Sequence, residues 1–325
     1  MVFIATMLKL ILLTMLSIPG VAIAQPPVAD HHQHIASPAM GEFQKFPGVA
    51  SVTSKEVIAL LDAAGIKKGV LLSIAYAYGR PGRESQNEYE KVKQENDWVG
   101  AQAALYPNRL IAFCGFNPLK DYALAEIARC AKNPNTNRGI KLHFGNSDVR
   151  LENPEHIEKL KAVFRLANAN RMSIVIHLRA SISLDRPYGA EQARAFLEQL
   201  MPLATNITVQ IAHLGGSGPG FDDPKADAFM DALIETIQDP KSKIQNRKNL
   251  WFDVASVAHP SNSPERSALL LKRIRQIGVK RILYGTDLAL GGNLPPRESW
   301  AEFSKIGLTR NELKTVAKNR APYFK

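Results

Sequence analysis

The chain has 325 residues, 45% of them apolar and 22% charged, with a formal net charge of +11 and two cysteines. This composition supports a packed core and excludes a disordered chain or a small disulfide framework. The 41 lysines and arginines are scattered rather than clustered, so the positive balance points to small anionic partners and away from nucleic acid.

The first 24 residues read apart from the rest. Lys9 is their one charged side chain, Leu10 to Leu16 is apolar apart from Thr14, and Ala22-Ile23-Ala24 fits a small-x-small cleavage site. This is the pattern of a secretory signal peptide cleaved near Ala24. It predicts a secreted or periplasmic protein with one domain over residues 25–325. An uncleaved anchor is the alternative, but the apolar run before Pro19-Gly20 is short for a span of roughly 20 residues. No later segment reads as a stable membrane insertion. In an oxidising compartment Cys114 and Cys130 either pair or stay as two buried thiols, one on a strand and one on a helix.

Beyond that segment a short apolar run is followed by an amphipathic stretch, and the pair repeats. The runs are VADHHQH (28–34), GVLLSIAYAY (69–78), LIAFCGFNP (110–118), GIKLHF (139–144), SIVIHLR (173–179), ITVQIAHLGG (207–216), LWFDVAS (250–256) and RILYGTDL (281–288). Several are apolar without alternation, as strands covered on both faces are. Helical periodicity fills the gaps. The stretch 54–66 opens with Ser54 as N-cap and ends at Gly65, 87–107 spaces its apolar residues at three and four, 154–172 starts on Pro154, and 265–279 ends at Gly278. Eight strand–helix units predict an α/β fold of the (β/α)8 TIM-barrel type. An open doubly wound sheet is the alternative, but no Gly-rich phosphate fingerprint follows an early strand. The loops 79–87 and 215–224 are rich in Gly and Pro, and each follows a strand, at the end where a barrel carries its active site.

The polar residues fall at those strand ends. His32 and His34 end the first run, Lys141 and His143 lie in the fourth, His177 ends the fifth, His213 the sixth and Asp287 the eighth. The step from 141 to 177 is 36 residues, as is that from 177 to 213, and 287 lies 74 beyond 213. One strand–helix unit per step brings such residues to one level of the barrel. Period two puts His32 and His34 on one face of their strand, where two imidazoles can grip one divalent cation, and turns His31 to the other face. A third histidine and an aspartate from other strands leave room for water, the arrangement of a catalytic centre. Zinc is the default ion for such a set, with manganese the alternative.

At this point the chain resembles the amidohydrolase superfamily. Asp30-x-His32-x-His34, Gly139-Ile140-Lys141-Leu142-His143, Ile176-His177, Ala212-His213-Leu214-Gly215-Gly216 and Tyr284-Gly285-Thr286-Asp287 carry the likeness. It is greatest to the amidohydrolase-related branch that includes aminocarboxymuconate-semialdehyde decarboxylase and related lactone hydrolases. The resemblance implies that His32, His34, His177 and Asp287 hold the metal. It also implies that Asp287 moves a proton and that His213 orients substrate or water. In two-metal members His213 binds a second ion with a carboxylated lysine, which is where Lys141 falls. In the decarboxylase-like branch that lysine is usually not a ligand.

Around this set, Arg179 follows His177 by two and is either a clamp for a substrate carboxylate or a surface salt bridge. His143 is either a substrate contact or a hydrogen-bonded loop histidine. Arg80 and Arg83 are weaker candidates, His259 follows the seventh strand within reach of the site, and Asp253 reads as structural. The expected function is a metal-dependent hydrolase attacking an amide, ester or lactone carbonyl of a small, anionic substrate. The alternative is a non-oxidative decarboxylase of an unsaturated or aromatic acid. A third reading, of another class, is a non-catalytic metal- or solute-binding protein of the envelope. A homo-oligomer is compatible with the sequence.

Overall fold

The computed structural model describes residues 25–44, 52–83, 85–179, 185–216, 223–242, 245–288 and 293–325. The signal-peptide pattern of residues 1–24 and part of the two Gly/Pro-rich loops lie outside them. Among the described residues no helix is long and apolar enough to cross a membrane.

Eight strands form one parallel sheet in chain order: β1 (Ala29–Ile35), β2 (Lys68–Ser73), β3 (Leu110–Gly115), β4 (Gly139–His143), β5 (Ser173–His177), β6 (Val209–Ile211), β7 (Leu250–Asp253) and β8 (Ile282–Leu283). The sheet closes on itself through the segment after β8. His31 N–H donates to Tyr284 O (2.9 Å), Asp287 N–H to His32 O (2.7 Å) and His34 N–H to Leu288 O (3.2 Å). This is the expected (β/α)8 barrel.

The unbroken apolar runs have a simple cause. Successive strand residues enter two different cores. Leu71, Ile140, Ile174, Ile176, Ile211 and Phe252 pack outward under the helices. Val70, Leu72, Phe113, Val175 and Leu283 pack inward with Tyr323, which fills the barrel on the side away from the strand ends. The helices follow their sequence signals, with one shift. Thr53, not Ser54, caps the helix Ser54–Ala63, and the Glu56 carboxylate accepts from both the Thr53 N–H and its hydroxyl, each at 2.6 Å. Asn153 and Ser263 cap the helices Pro154–Ala169 and Pro264–Ile277, and Gly278 ends the latter at φ 93°.

Cys114 of β3 and Cys130 of the helix Ala123–Lys132 form a disulfide, which settles the two alternatives left by the sequence. A second correction concerns His31. The register of β1 against β2 slips between Asp30 and Gln33, so two residues of β1 oppose one of β2. His31 and His32 therefore both face the barrel interior, at different depths. The His31 ring lies 6.1 Å from that of Tyr323 and 5.4 Å from that of Phe324, at the closed end. His31 stays away from the metal ligands, as expected, but by depth and not by facing outward.

Candidate metal centre

The tightest group of titratable atoms at the barrel mouth joins β1 to the segment after β8. The Nε2 atoms of His32 and His34 lie 3.2 Å apart. Asp287 Oδ1 lies 3.3 Å from the first and 3.2 Å from the second. His213 Nε2 lies 4.0 Å from Asp287 Oδ2. Lys141, buried in β4, places Nζ 3.2 Å from His32 Nε2.

Each of the three histidines is oriented from behind. His32 Nδ1 faces Asp253 Oδ2 at 3.0 Å, His34 Nδ1 faces Leu72 O at 2.8 Å and His213 Nδ1 faces Ala255 O at 2.8 Å. Carboxylate and carbonyl oxygens only accept, so in each neutral ring Nδ1 carries the proton and Nε2 turns a lone pair inward. Burial and the neighbouring Lys141 push the His32 ring down to about 3, against the pull of Asp253 and Asp287. Burial would raise the Asp287 carboxyl; opposing it, His32, His34 and His213 hold the group below the usual carboxylate range only as far as they bear positive charge or a proton on Nε2, a part a bound cation would take over from the neutral rings. Lone pairs and an ionised carboxylate thus converge within about hydrogen-bond distance. Lys141 is the one described donor directed at the His32 lone pair. A divalent cation fits this donor set and turns a repulsive arrangement into a favourable one.

Backbone strain accompanies the site. His213 (φ 54°), Leu214 (φ 48°), Ser256 (φ 53°) and Asp287 (φ 58°) all adopt the left-handed conformation without being glycine. Such residues persist where surrounding bonds over-determine them, and they cluster at functional sites. Here the Asp253 carboxylate accepts from the His213 N–H (2.9 Å), and Asn293 Nδ2 donates to Asp287 Oδ2 (3.1 Å). Gly285 is required for a different reason: a Cβ there would stand 2.8 Å from that of His32.

The remaining expected residues are placed unevenly. The His177 ring lies 5.1 Å from that of His213 and stacks at 4.0 Å on His143, so both belong to the arc of imidazoles but lie beyond the tight group. Burial and the neighbouring His143 and His213 rings hold His177 well below the ordinary histidine value. His143 accepts from Asn146 N–H through Nδ1 (3.1 Å), which makes it a loop cap and leaves its neutral ring with an Nε2 donor. Arg179 is not a surface salt bridge. It is buried, paired through Nε and Nη2 with Asp223, and stacked 5.0 Å from the Tyr188 ring. Among the described residues its Nη1 is buried without a hydrogen-bond partner. Arg83 is drawn away to Phe43 O and Gln44 Oε1, Arg80 is exposed, and His259 closes a local turn with Ser261.

Two residues play a part at the site that the sequence does not assign them: Asp253, read there as structural, and Tyr76. Asp253 is structural only in the sense that it orients the site: one carboxylate accepts from His32 Nδ1, Gln210 Nε2, His213 N–H and Ala255 N–H. Its position at a strand end was the available signal. Tyr76, in the turn Ala75–Ala77, lies 5.0 Å ring to ring from His143, and burial together with Asp287 raises its phenol above the ordinary value. No sequence pattern marks it.

The amidohydrolase family model matches residues 76–318. No curated protein matches the sequence. Among solved structures, a 5-carboxyvanillate decarboxylase from Sphingomonas paucimobilis superposes with a TM-score of 0.62 at 16% identity, over 90% of this chain and 97% of that one. A probable 2-pyrone-4,6-dicarboxylic acid hydrolase from Acinetobacter baumannii, with citric acid bound, gives 0.59 at 18% identity, over 91% and 97%. A dihydroxybenzoic acid decarboxylase from a Polaromonas species, with manganese and the inhibitor 2-nitroresorcinol bound, gives 0.61 at 16% identity, over 90% and 95%. These likenesses concern the fold.

Proposed function

The chain belongs to the amidohydrolase family, and on that premise we propose that it is a metal-dependent enzyme removing carbon dioxide, without oxidation, from a small unsaturated or aromatic acid. The observation that carries the metal reading is the convergence of the His32, His34 and His213 lone pairs on the Asp287 carboxylate. The tight group itself offers His32, His34, His213 and Asp287 to the ion; the family resemblance would instead give His177 the third histidine's place as ligand and turn His213 to the substrate. Zinc suits the donor set, and the manganese in the Polaromonas structure supports that ion as well. Bound there, the ion supplies fixed positive charge and Lewis acidity beside the reacting carboxyl group.

The side chains do the rest. Asp287, held ionised, accepts a proton and passes it to the carbon that carbon dioxide leaves, so one proton enters the substrate for each molecule released. Arg179 Nη1 offers a buried donor to a second acidic group of the substrate, and the His143 Nε2–H offers another. Tyr76 contributes a phenol that stays protonated. Decarboxylases among the structural neighbours support this order of preference.

Hydrolysis of an amide, ester or lactone, the first expectation from the sequence, is the second reading. Asp287 suits it as base, and the pyrone hydrolase neighbour supports it. The disulfide supports export to an oxidising compartment; removal of the signal segment near Ala24 belongs to the same proposal and rests on the sequence pattern alone.

The test starts from protein purified in bicarbonate without chelator. Elemental analysis should find one metal per chain with Lys141 a free amine. Two would mean a carboxylated Lys141 and favour hydrolysis. A panel of carboxyl-labelled aromatic acids and of lactones in oxygen-labelled water then separates release of carbon dioxide from uptake of water. Protein that neither retains nor takes up a divalent ion ends the reading. Metal retained with no turnover on the panel supports the envelope-binding alternative instead.

A further inference from the structure

Tyr323 lies in the turn Pro322–Phe324, at the end of the barrel opposite the metal centre. Its ring packs among Val70, Leu72, Phe113, Val175 and Leu283, 5.1 Å from the ring of Phe113. A phenylalanine would fill that place. The hydroxyl needs another explanation, because a buried polar group is costly unless it is bonded. It donates to Gln210 Oε1 at 2.6 Å. Gln210 is fully buried in β6, and its Nε2 donates to Asp253 Oδ2 at 2.6 Å. The same oxygen accepts from His32 Nδ1 at 3.0 Å.

The direction of every bond in this chain is fixed from one end. The Asp253 carboxylate only accepts, so the Gln210 amide must present its NH2 to it. That leaves the amide oxygen toward Tyr323, whose hydroxyl must donate. Bonds in such a chain polarise one another in a low-dielectric interior. The same turn is tied to β1 a second time, since Ala321 N–H donates to His31 Nε2 at 3.3 Å. The residue beside His32 is thereby held from the closed end too.

We infer that Tyr323 is a positioning residue for the metal centre, acting through Gln210 and Asp253 to fix the ring orientation of His32 and the proton on its Nδ1. The inference rests on the metal reading for its consequence but not for its first test. In Tyr323→Phe the ring packing is kept and only the end of the chain of bonds is lost. Asp253 then receives from a Gln210 amide no longer polarised by a donor.

Two measurements on the full chain decide the matter. In metal-free protein with labelled histidine, the His32 Nδ1–H resonance is expected to move in Tyr323→Phe and to stay in Phe113→Leu, which loosens the same packing without touching the bonds. An unmoved resonance in Tyr323→Phe overturns the inference whatever the metal does. By chelator competition, Tyr323→Phe is expected to bind Mn2+ about 3–10-fold more weakly, below the ~10–100-fold typical of groups bonded directly to a ligand. The loss should shrink toward nothing in an Asp253→Asn background, because both changes act through one carboxylate. Equal Mn2+ affinity, or a loss undiminished in that background, overturns the positioning of the metal site. If the resonance moves but the wild-type chain binds no Mn2+ or Zn2+, the metal reading fails and the bonded chain stands.

Discussion

His32 Nδ1 and Asp253 Oδ2 meet at 3.0 Å, joining strands that are 221 residues apart in the chain. The other oxygen of the same carboxylate holds the backbone of His213, so one side chain sets the geometry of two members of the site. Burial would raise the Asp253 carboxyl, but His32 and His213 outweigh it and keep it below the usual range. Asp253→Asn preserves shape and places an NH2 where two donors already point, whichever way the amide turns. Metal affinity is expected to fall ~10–100-fold, measured by chelator competition. Affinity within twofold of wild type would show that Asp253 does not orient the ligands.

Lys141 gives a pH dependence with a defined sign. Burial lowers its amine from 10.5 to about 8, against the pull of Asp287 and Asp253. Below pH 8 both folded and unfolded chains hold the proton, and the folded state bears the full cost of burying an ammonium. Between pH 8 and 10.5 the unfolded chain binds a proton that the folded one does not, so stability rises with pH and the cost is gone above 10.5. Relative to Lys141→Met, metal-free wild type should gain on the order of 3 kcal/mol across that window. Denaturant titrations of both proteins at several pH values check this. A constant difference would mean that the amine is not buried as an ammonium at neutral pH.

The barrel was legible because its outward and inward faces are both apolar and because one unit repeats every 36 or 37 residues. The strand ends were not. GVLLSIAYAY reads as strand to Tyr78 but stops at Ser73 and turns through Ala75–Ala77. ITVQIAHLGG keeps only Val209–Ile211, since the left-handed turn that its two glycines announce begins earlier, at the non-glycine residues His213 and Leu214. His32, His34 and Asp287 could be found because ligand types recurred at strand ends. Asp253 could not be assigned its part, because an aspartate that orients and one that merely stabilises look alike until their partners are known. The slip in β1 that moves His31 inward is equally silent in a period-two reading.

The Cys114–Cys130 bond ties β3 to the helix that follows it and closes a short loop, with a sequence separation of 16. Cross-linking a loop near 15 residues contributes roughly 3 kcal/mol in the chain-entropy account. The double substitution of both cysteines by alanine should lower Tm by roughly 4–6 °C, read by calorimetry, with the metal content unchanged. A change under 1–2 °C, about the effect expected of 1 kcal/mol or less in a chain of this size, would mean that the bond adds little beyond the packing of two buried side chains.

Arg179 separates a carboxylate-reading site from one that merely uses the arginine as a strut. Its Nε and Nη2 are spent on Asp223, and its face is spent on Tyr188, which itself stacks on Phe229 at 4.3 Å and bonds to Gly215 O at 2.7 Å. Only Nη1 is left without an acceptor among the described residues, and a buried charged donor in that state is expensive unless a ligand supplies one. Arg179→Lys keeps the charge and the pairing with Asp223 but loses the fork, and a lysine cannot reach two acceptors with the same geometry. For whichever acid of the panel turns over, KM should rise about 10–100-fold, equivalent to one charge-assisted bond, while kcat stays within a few-fold. The same variant should discriminate less between that acid and its analogue lacking the second acidic group. If KM holds and kcat falls instead, Arg179 acts on the chemistry through the loop it braces, and the substrate's second acidic group must be read elsewhere at the mouth.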